Sequence, residues 1–198
     1  MARPKSEDKR NAILSAATQV FAERGLGAPT PAILSVARVA EGTLFTYFRT
    51  KDELVNALYR EIKLELADAM MSGFPRKKSI RSKLQPIWDG YVNWGLANPR
   101  QRKVLAQLQV SDILTKESRE AGSAPFLEIE TMGREAIEQR VVRDNLSMEF
   151  IGKALAALAE ATMEFMALHP KAADTYGTSG FEMFWTGVAR KRFFVSNK

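Results

Sequence analysis

Gly42, Thr43, Tyr47 and Lys51 are the residues whose types and spacing most plainly suggest chemistry, and the chemistry is recognition of a nucleic-acid groove. The segment from Thr30 to Phe48 reads as two short helices joined by the tight connection Arg38-Val39-Ala40, the spacing of a helix-turn-helix. The second helix of such a motif enters the major groove N-terminus first, so its first turn must let the backbone approach the base edges. Gly42 removes a side chain there, and Thr43 offers a hydroxyl to a base or phosphate and a methyl to thymine. Tyr47, one turn later, can set its hydroxyl on a phosphate. Lys51, in the first turn of the following helix, adds an ammonium to free N–H groups as a phosphate clamp. Spacing alone leaves a generic helical corner with solvated side chains as an alternative.

Other chemistries have little to work with. Cysteine is absent, which removes disulfides, thiolate metal sites and a cysteine nucleophile. Histidine occurs once, at His169 before Pro170, where the reading is an interaction with the last carbonyls of a helix. Gly25-Leu26-Gly27 is not a phosphate loop, because no strand precedes it and no third glycine follows in place. Glu160 and Glu164, four residues apart, read as a partly exposed face with ordinary ion pairing. No cofactor, no metal and no enzymatic activity are expected.

Lys+Arg 29 against Asp+Glu 23 gives +6, consistent with an anionic partner. Charge does not locate the binding face, since residues 1–60 carry nine basic and six acidic side chains, half of the excess. The basic run Arg76-Lys77-Lys78 with Arg81 and Lys83 reads as a solvated loop and helix start rather than a nucleic-acid patch. The opening Met1–Arg10 is polar, and the apolar-looking Ala154–Leu168 carries Glu160 and Glu164, so neither serves a membrane. A soluble, cytoplasmic protein with no membrane partner is expected.

The elements that must position these residues are helical. Ile13, Ala17, Val20 and Phe21 form a core-facing stripe, opened by Ser6 with Glu7 and Asp8 and stopped by Gly25. Thr30 before Pro31 reads as an N-cap. Thr50-Lys51-Asp52-Glu53 has the form of a capping box and opens a long helix through Leu54, Leu58, Ile62 and Leu66. Ser72-Gly73-Phe74-Pro75 closes it. Helices follow over 79–96 and from Pro99 toward Asp112, then an interrupted stretch over 115–143 with its break at Gly122–Pro125. The stripe Ile151, Leu155, Leu158, Thr162 and Phe165 marks the next helix, and Phe181, Phe184, Trp185 and Val188 the last. The expected architecture is all-α, with about nine helices and no repeat.

Two blocks resemble a known family. Ile13-Leu14, Ala16-Ala17, Phe21-Ala22-Glu23 and Gly25 resemble the opening helix of TetR-family transcriptional repressors. Ala40-Glu41-Gly42-Thr43-Leu44-Phe45-Thr46-Tyr47-Phe48 with Thr50-Lys51-Asp52-Glu53-Leu54 resembles their recognition helix and the start of the connecting helix. The polar opening, the Ala40–Leu54 block and Tyr91 with Trp94-Gly95-Leu96 look most like the RamR branch, which represses an activator of multidrug efflux and responds to amphipathic, often cationic compounds. The resemblance implies a three-helix DNA-binding domain over 1–52 and a ligand-binding and dimerisation domain over 53–198. It implies DNA contacts from Thr30, Ser35, Arg38, Gly42, Thr43, Leu44, Tyr47 and Lys51. Three departures stand out. Arg38 occupies a turn position usually held by glycine, Ala40 replaces a common serine cap, and Phe45 replaces a frequent tyrosine and its possible phosphate contact.

The remaining sites are expectations of the same kind. Tyr59 and Lys63 lie four apart on the connecting helix, and Trp88 with Tyr91 crowds the next one; with Leu155 they are the expected ligand residues. Core filling is the bland alternative for each aromatic. Phe181, Phe184, Trp185 and Val188 are the expected dimer strip, with the penultimate helix supplying the matching one, and core filling within one subunit is the alternative. The function expected is a homodimeric repressor that binds a double-stranded DNA operator and leaves it when a small-molecule inducer binds, with efflux genes as targets. The alternative is an all-α small-molecule-binding or enzyme module whose helix-turn-helix is only scaffold.

Overall fold

A computed structural model describes residues 5–75 and 78–190. The polar opening before Lys5, and Arg76 and Lys77 of the basic run, lie outside the described residues. Among the described residues the chain is all-helical, with ten α-helices, two short 3-10 turns and one isolated bridge, Val142 to Ala189. The helices are α1 (Lys5–Arg24), α2 (Thr30–Ala37), α3 (Glu41–Tyr47), α4 (Lys51–Met71), α5 (Ile80–Ala97), α6 (Pro99–Gln109), α7 (Lys116–Ser123), α8 (Leu127–Glu138), α9 (Met148–Leu168) and α10 (Ala173–Val188). The interrupted stretch of the sequence is α7 and α8, parted by a 3-10 turn at Ala124–Phe126. The other elements are those expected.

The helices gather into two compact units, residues up to 65 with 97–125, and 66–96 with 126 onward. In the first, α1 packs on α2 and α6. The α1 stripe supplies Ile13, Ala17, Val20 and Phe21 to a core shared with Ile33, Leu44, Leu54, Leu58 and Leu108. Gly25 ends α1 at φ +80, a left-handed stop that costs a glycine nothing, and its N–H returns to Phe21 O. The forward bond of the capping box over 50–53 forms, Thr50 Oγ1 accepting the Glu53 N–H at 3.0 Å, while the Glu53 carboxylate reaches one residue further back and accepts the Arg49 N–H at 2.8 Å.

The second unit centres on the antiparallel pair α9 and α10. Ser147 caps α9, its hydroxyl accepting the Phe150 N–H at 3.2 Å. Trp88 from α5 is wholly buried, stacked on Phe184 at 6.1 Å and edge-on to Phe181 at 6.2 Å between ring centroids. Gly180 makes room for this packing, since a Cβ there would lie 2.8 Å from Trp88 Cζ2. The strip on α10 is thus corrected: Phe181, Phe184 and Val188 face the unit's own core, and Trp185 is half-buried. An amphipathic pattern tells which face is buried, not what buries it. His169 reaches a last carbonyl of α9 as expected, through its backbone N–H to Phe165 O at 2.9 Å, while its ring lies beside Phe165 and Tyr176, at 5.9 and 5.6 Å.

Candidate nucleic-acid interface and effector residues

The turn between α2 and α3 keeps its shape without glycine. Arg38 takes φ 54, ψ 43 and is exposed, its N–H bonded to Leu34 O. The left-handed geometry costs an L-residue about 1 kcal/mol. Pro29, in extended backbone, occupies the N-cap position of α2, so the expected cap at Thr30 is corrected: Thr30 is the first helical residue and Pro31 the second. Ala40 sits at the N-cap of α3 and supplies no side-chain bond, and the Thr43 N–H bonds Ala40 O at 2.9 Å.

The two turns of α3 divide cleanly. Leu44 is 0% exposed and Phe48 at its C-cap 2%, four residues apart on the face turned to the core. Leu44 is therefore corrected from DNA contact to anchor: it holds the helix in place and has no surface to offer. Gly42 is exposed, and nothing lies within 4 Å of where its Cβ would be. Thr43 and Tyr47 are half-buried, and Ser35 on α2 is exposed. The Lys51 ammonium, at the start of α4, lies 5.8 Å from the centre of the buried Phe21 ring. Arg10 likewise lies over Phe48 at 5.8 Å and pairs with Glu61 at 3.5 Å. Phe45, which the sequence marks only as a departure from tyrosine, is 45% exposed on α3.

The expected effector residues fall in two groups. In the first unit, Tyr59 is buried with its ring against Gly122, where a Cβ would lie 3.1 Å from Tyr59 Cζ. Burial pushes the Tyr59 phenol up, with nearby Arg119 opposing. Lys63, one turn on, is pulled down to about 8 by burial, which disfavours its charged form. A groove of about 750 Å³ in this unit is lined by Leu14, Leu58, Glu61, Ile62 and Glu65 among others, and neither Tyr59 nor Lys63 lines it. In the second unit, Trp88 and Tyr91 are buried and Leu155 half-buried. The Trp88 indole N–H is enclosed and finds no acceptor among the described residues. Among those residues no cluster of ligands could hold a metal ion, and no helix is long and apolar enough to cross a membrane.

Comparison with known proteins agrees with this geometry. The family of bacterial regulatory proteins described as the tetR family matches residues 13–58, from the α1 core stripe to the second turn of α4. The HTH-type transcriptional regulator YhgD of Bacillus subtilis strain 168, itself uncharacterised, is 31% identical over 87 residues. That match covers 41% of this chain and 46% of YhgD, so the chain spans under half the length of this relative. A TetR-family transcription regulator of Marinobacter aquaeolei VT8 superposes with a TM-score of 0.85 at 18% identity, over 96% of this chain and 100% of that one. The transcriptional regulator FadR of Bacillus subtilis, solved with stearoyl-CoA, gives 0.69 at 19% identity, over 89% of this chain and 98% of its own. Residues 13–58 match the tetR family of bacterial regulatory proteins, and the chain that carries them has the fold of the TetR-family structures.

Proposed function

We propose that the chain is a DNA-binding transcriptional regulator, a homodimeric repressor that a small amphipathic ligand releases from its operator, with multidrug-efflux genes as the targets. The observation that carries the DNA-binding part is the division of α3. Leu44 and Phe48 fix its inner face, while Gly42 is exposed, Thr43 and Tyr47 are half-buried, and Lys51 stands at the next helix start. In this reading residues 1–52 are the DNA-binding head and 53–198 receive ligand and partner. Ser35 and Arg38 add contacts to the sugar–phosphate backbone.

Dimerisation is supported by the outward faces of α9 and α10. They leave Phe150, Phe165, Leu168 and Met183 between 47% and 71% exposed, on two helices packed side by side. Four large apolar groups on one such pair favour a twofold partner. Ligand response is supported by the unmet Trp88 N–H, because an enclosed donor without an acceptor typically costs about 1–3 kcal/mol and a ligand oxygen would relieve it. The FadR neighbour holds an acyl-CoA, which suits an effector with an apolar body and polar head. Ligand and DNA must then weaken each other by the same factor.

The test is retention of the chain on duplex DNA as salt rises. A steep linear loss on logarithmic axes is expected, because bound phosphates release counterions. A flat profile, or a monomer by light scattering at micromolar concentration, removes the corresponding part of the proposal.

A further inference from the structure

We propose that Phe45 reads thymine in the operator through the base's C5-methyl group, which makes it a specificity residue of the interface. This rests on the DNA-binding reading above. The outer face of α3 presents Glu41, Gly42, Phe45 and Thr46. The Thr46 hydroxyl is turned back on its own helix, donating to Gly42 O at 2.8 Å. Glu41 is an anion and repels phosphate. Phe45 is then the one large apolar group on that face, and it is nearly half exposed.

Position and clearance make the ring useful. Gly42 precedes Phe45 by three residues and so shares its side of the helix. With open space where a Cβ would stand, Gly42 allows close approach to DNA in front of the ring. Leu44, wholly buried next door, prevents the helix from rolling Phe45 inward. A phenyl ring has no hydrogen bond to give a phosphate or a base edge. In the major groove its one apolar partner is the thymine methyl. Burying one such carbon changes affinity by about three- to fivefold.

The experiment enriches binding sites for the full chain from a pool of random-sequence duplexes, made in two forms that differ only in thymine against deoxyuridine. Deoxyuridine keeps both pairing edges and lacks the methyl. The wild type is expected to select, from the thymine pool, a motif with one thymine per half-site whose preference drops about three- to fivefold in the deoxyuridine pool. Phe45→Ala is expected to select the same motif without preference at that position in either pool. An unchanged wild-type motif in deoxyuridine overturns the proposal without recourse to any variant. A methyl preference that survives in Phe45→Ala overturns it by assigning the contact elsewhere, Thr43 being the nearest alternative. If neither pool is enriched by the wild type, DNA binding itself fails and Phe45 falls with it.

Discussion

The side-chain oxygen of Asn56 accepts the backbone N–H of Thr115 at 2.9 Å, tying the second turn of α4 to the start of α7 across 59 residues of sequence. The same carboxamide donates to Ile113 O at 3.0 Å and to Asp52 O at 2.8 Å, and the residue is 5% exposed. Nearby, Arg60 donates to Ser118 Oγ at 2.6 Å, and the Thr115 hydroxyl caps α7 by accepting the Ser118 N–H. The N-terminal turns of α4, which begin at Lys51, are thereby held from the side.

Asn56→Ala leaves the Thr115 N–H and the Ile113 carbonyl without these partners in a buried place. We expect a loss of about 2–3 kcal/mol, read as a lower denaturation midpoint at unchanged slope. Asn56→Asp is expected to do no better, because a carboxylate has no donor for Ile113 O and faces it with like charge. Stability within about 0.5 kcal/mol of wild type in both variants would mean that water replaces the clamp at no cost.

Lys63 gives the fold a pH dependence. The unfolded chain holds this proton up to about 10.5, the folded chain only up to about 8. Between those values the unfolded state binds more protons, so stability attributable to Lys63 rises with pH. Below 8 the burial penalty stands in full, at most about 3 kcal/mol and reduced by the side chain's remaining access to water. Lys63→Met is expected to lack this pH dependence, so the stability difference between the two proteins moves in favour of the wild type from pH 8 to 10.5. Paired urea titrations across that range check it, and a constant difference between the two proteins contradicts it.

What was legible in the sequence follows from how local each signal is. Gly25, Gly73 and Thr50 of the capping box act within a few residues, and each does in the structure what its type suggests. The stripes on α1 and α4 were legible because a long helix repeats its message. Leu44 was misread because α3 has only seven residues, too few for periodicity to separate the inner face from the outer. Phe181 and Phe184 were correctly seen as apolar and wrongly given to a partner, since their true partner, Trp88, stands nearly a hundred residues away. Asn56 carried no signal at all. Its bonds to Ile113 and Thr115 exist only once α4 and the α7 start have met.

Gly180 tests the aromatic cluster. A methyl there would lie 2.8 Å from Trp88 Cζ2 and closer still to the Thr162 hydroxyl, with both neighbours buried. Gly180→Ala therefore forces a shift in a packed interior, expected to destabilise by about 1–3 kcal/mol despite the better helix propensity of alanine. The Trp88 ring must move from its stack on Phe184, so the change is expected to appear in tryptophan emission as well. A more stable protein with unaltered emission would show that the cluster yields freely.

Arg38 separates stability from recognition, because its backbone and its side chain do different things. Its φ of 54 imposes left-handed strain that glycine would not feel, so Arg38→Gly is expected to gain up to about 1 kcal/mol, partly offset by glycine's freedom in the unfolded chain. Arg38→Ala keeps the strain and loses the guanidinium, so no gain is expected from it. If the exposed guanidinium lies on a phosphate, both variants lose DNA affinity equally, on all sequences, and the salt dependence falls by about one ion in each. A glycine variant that is more stable and binds DNA with wild-type salt dependence would show that Arg38 shapes the turn and touches no phosphate. A loss of binding in alanine but not in glycine would instead mean that turn geometry, rather than charge, sets the grip.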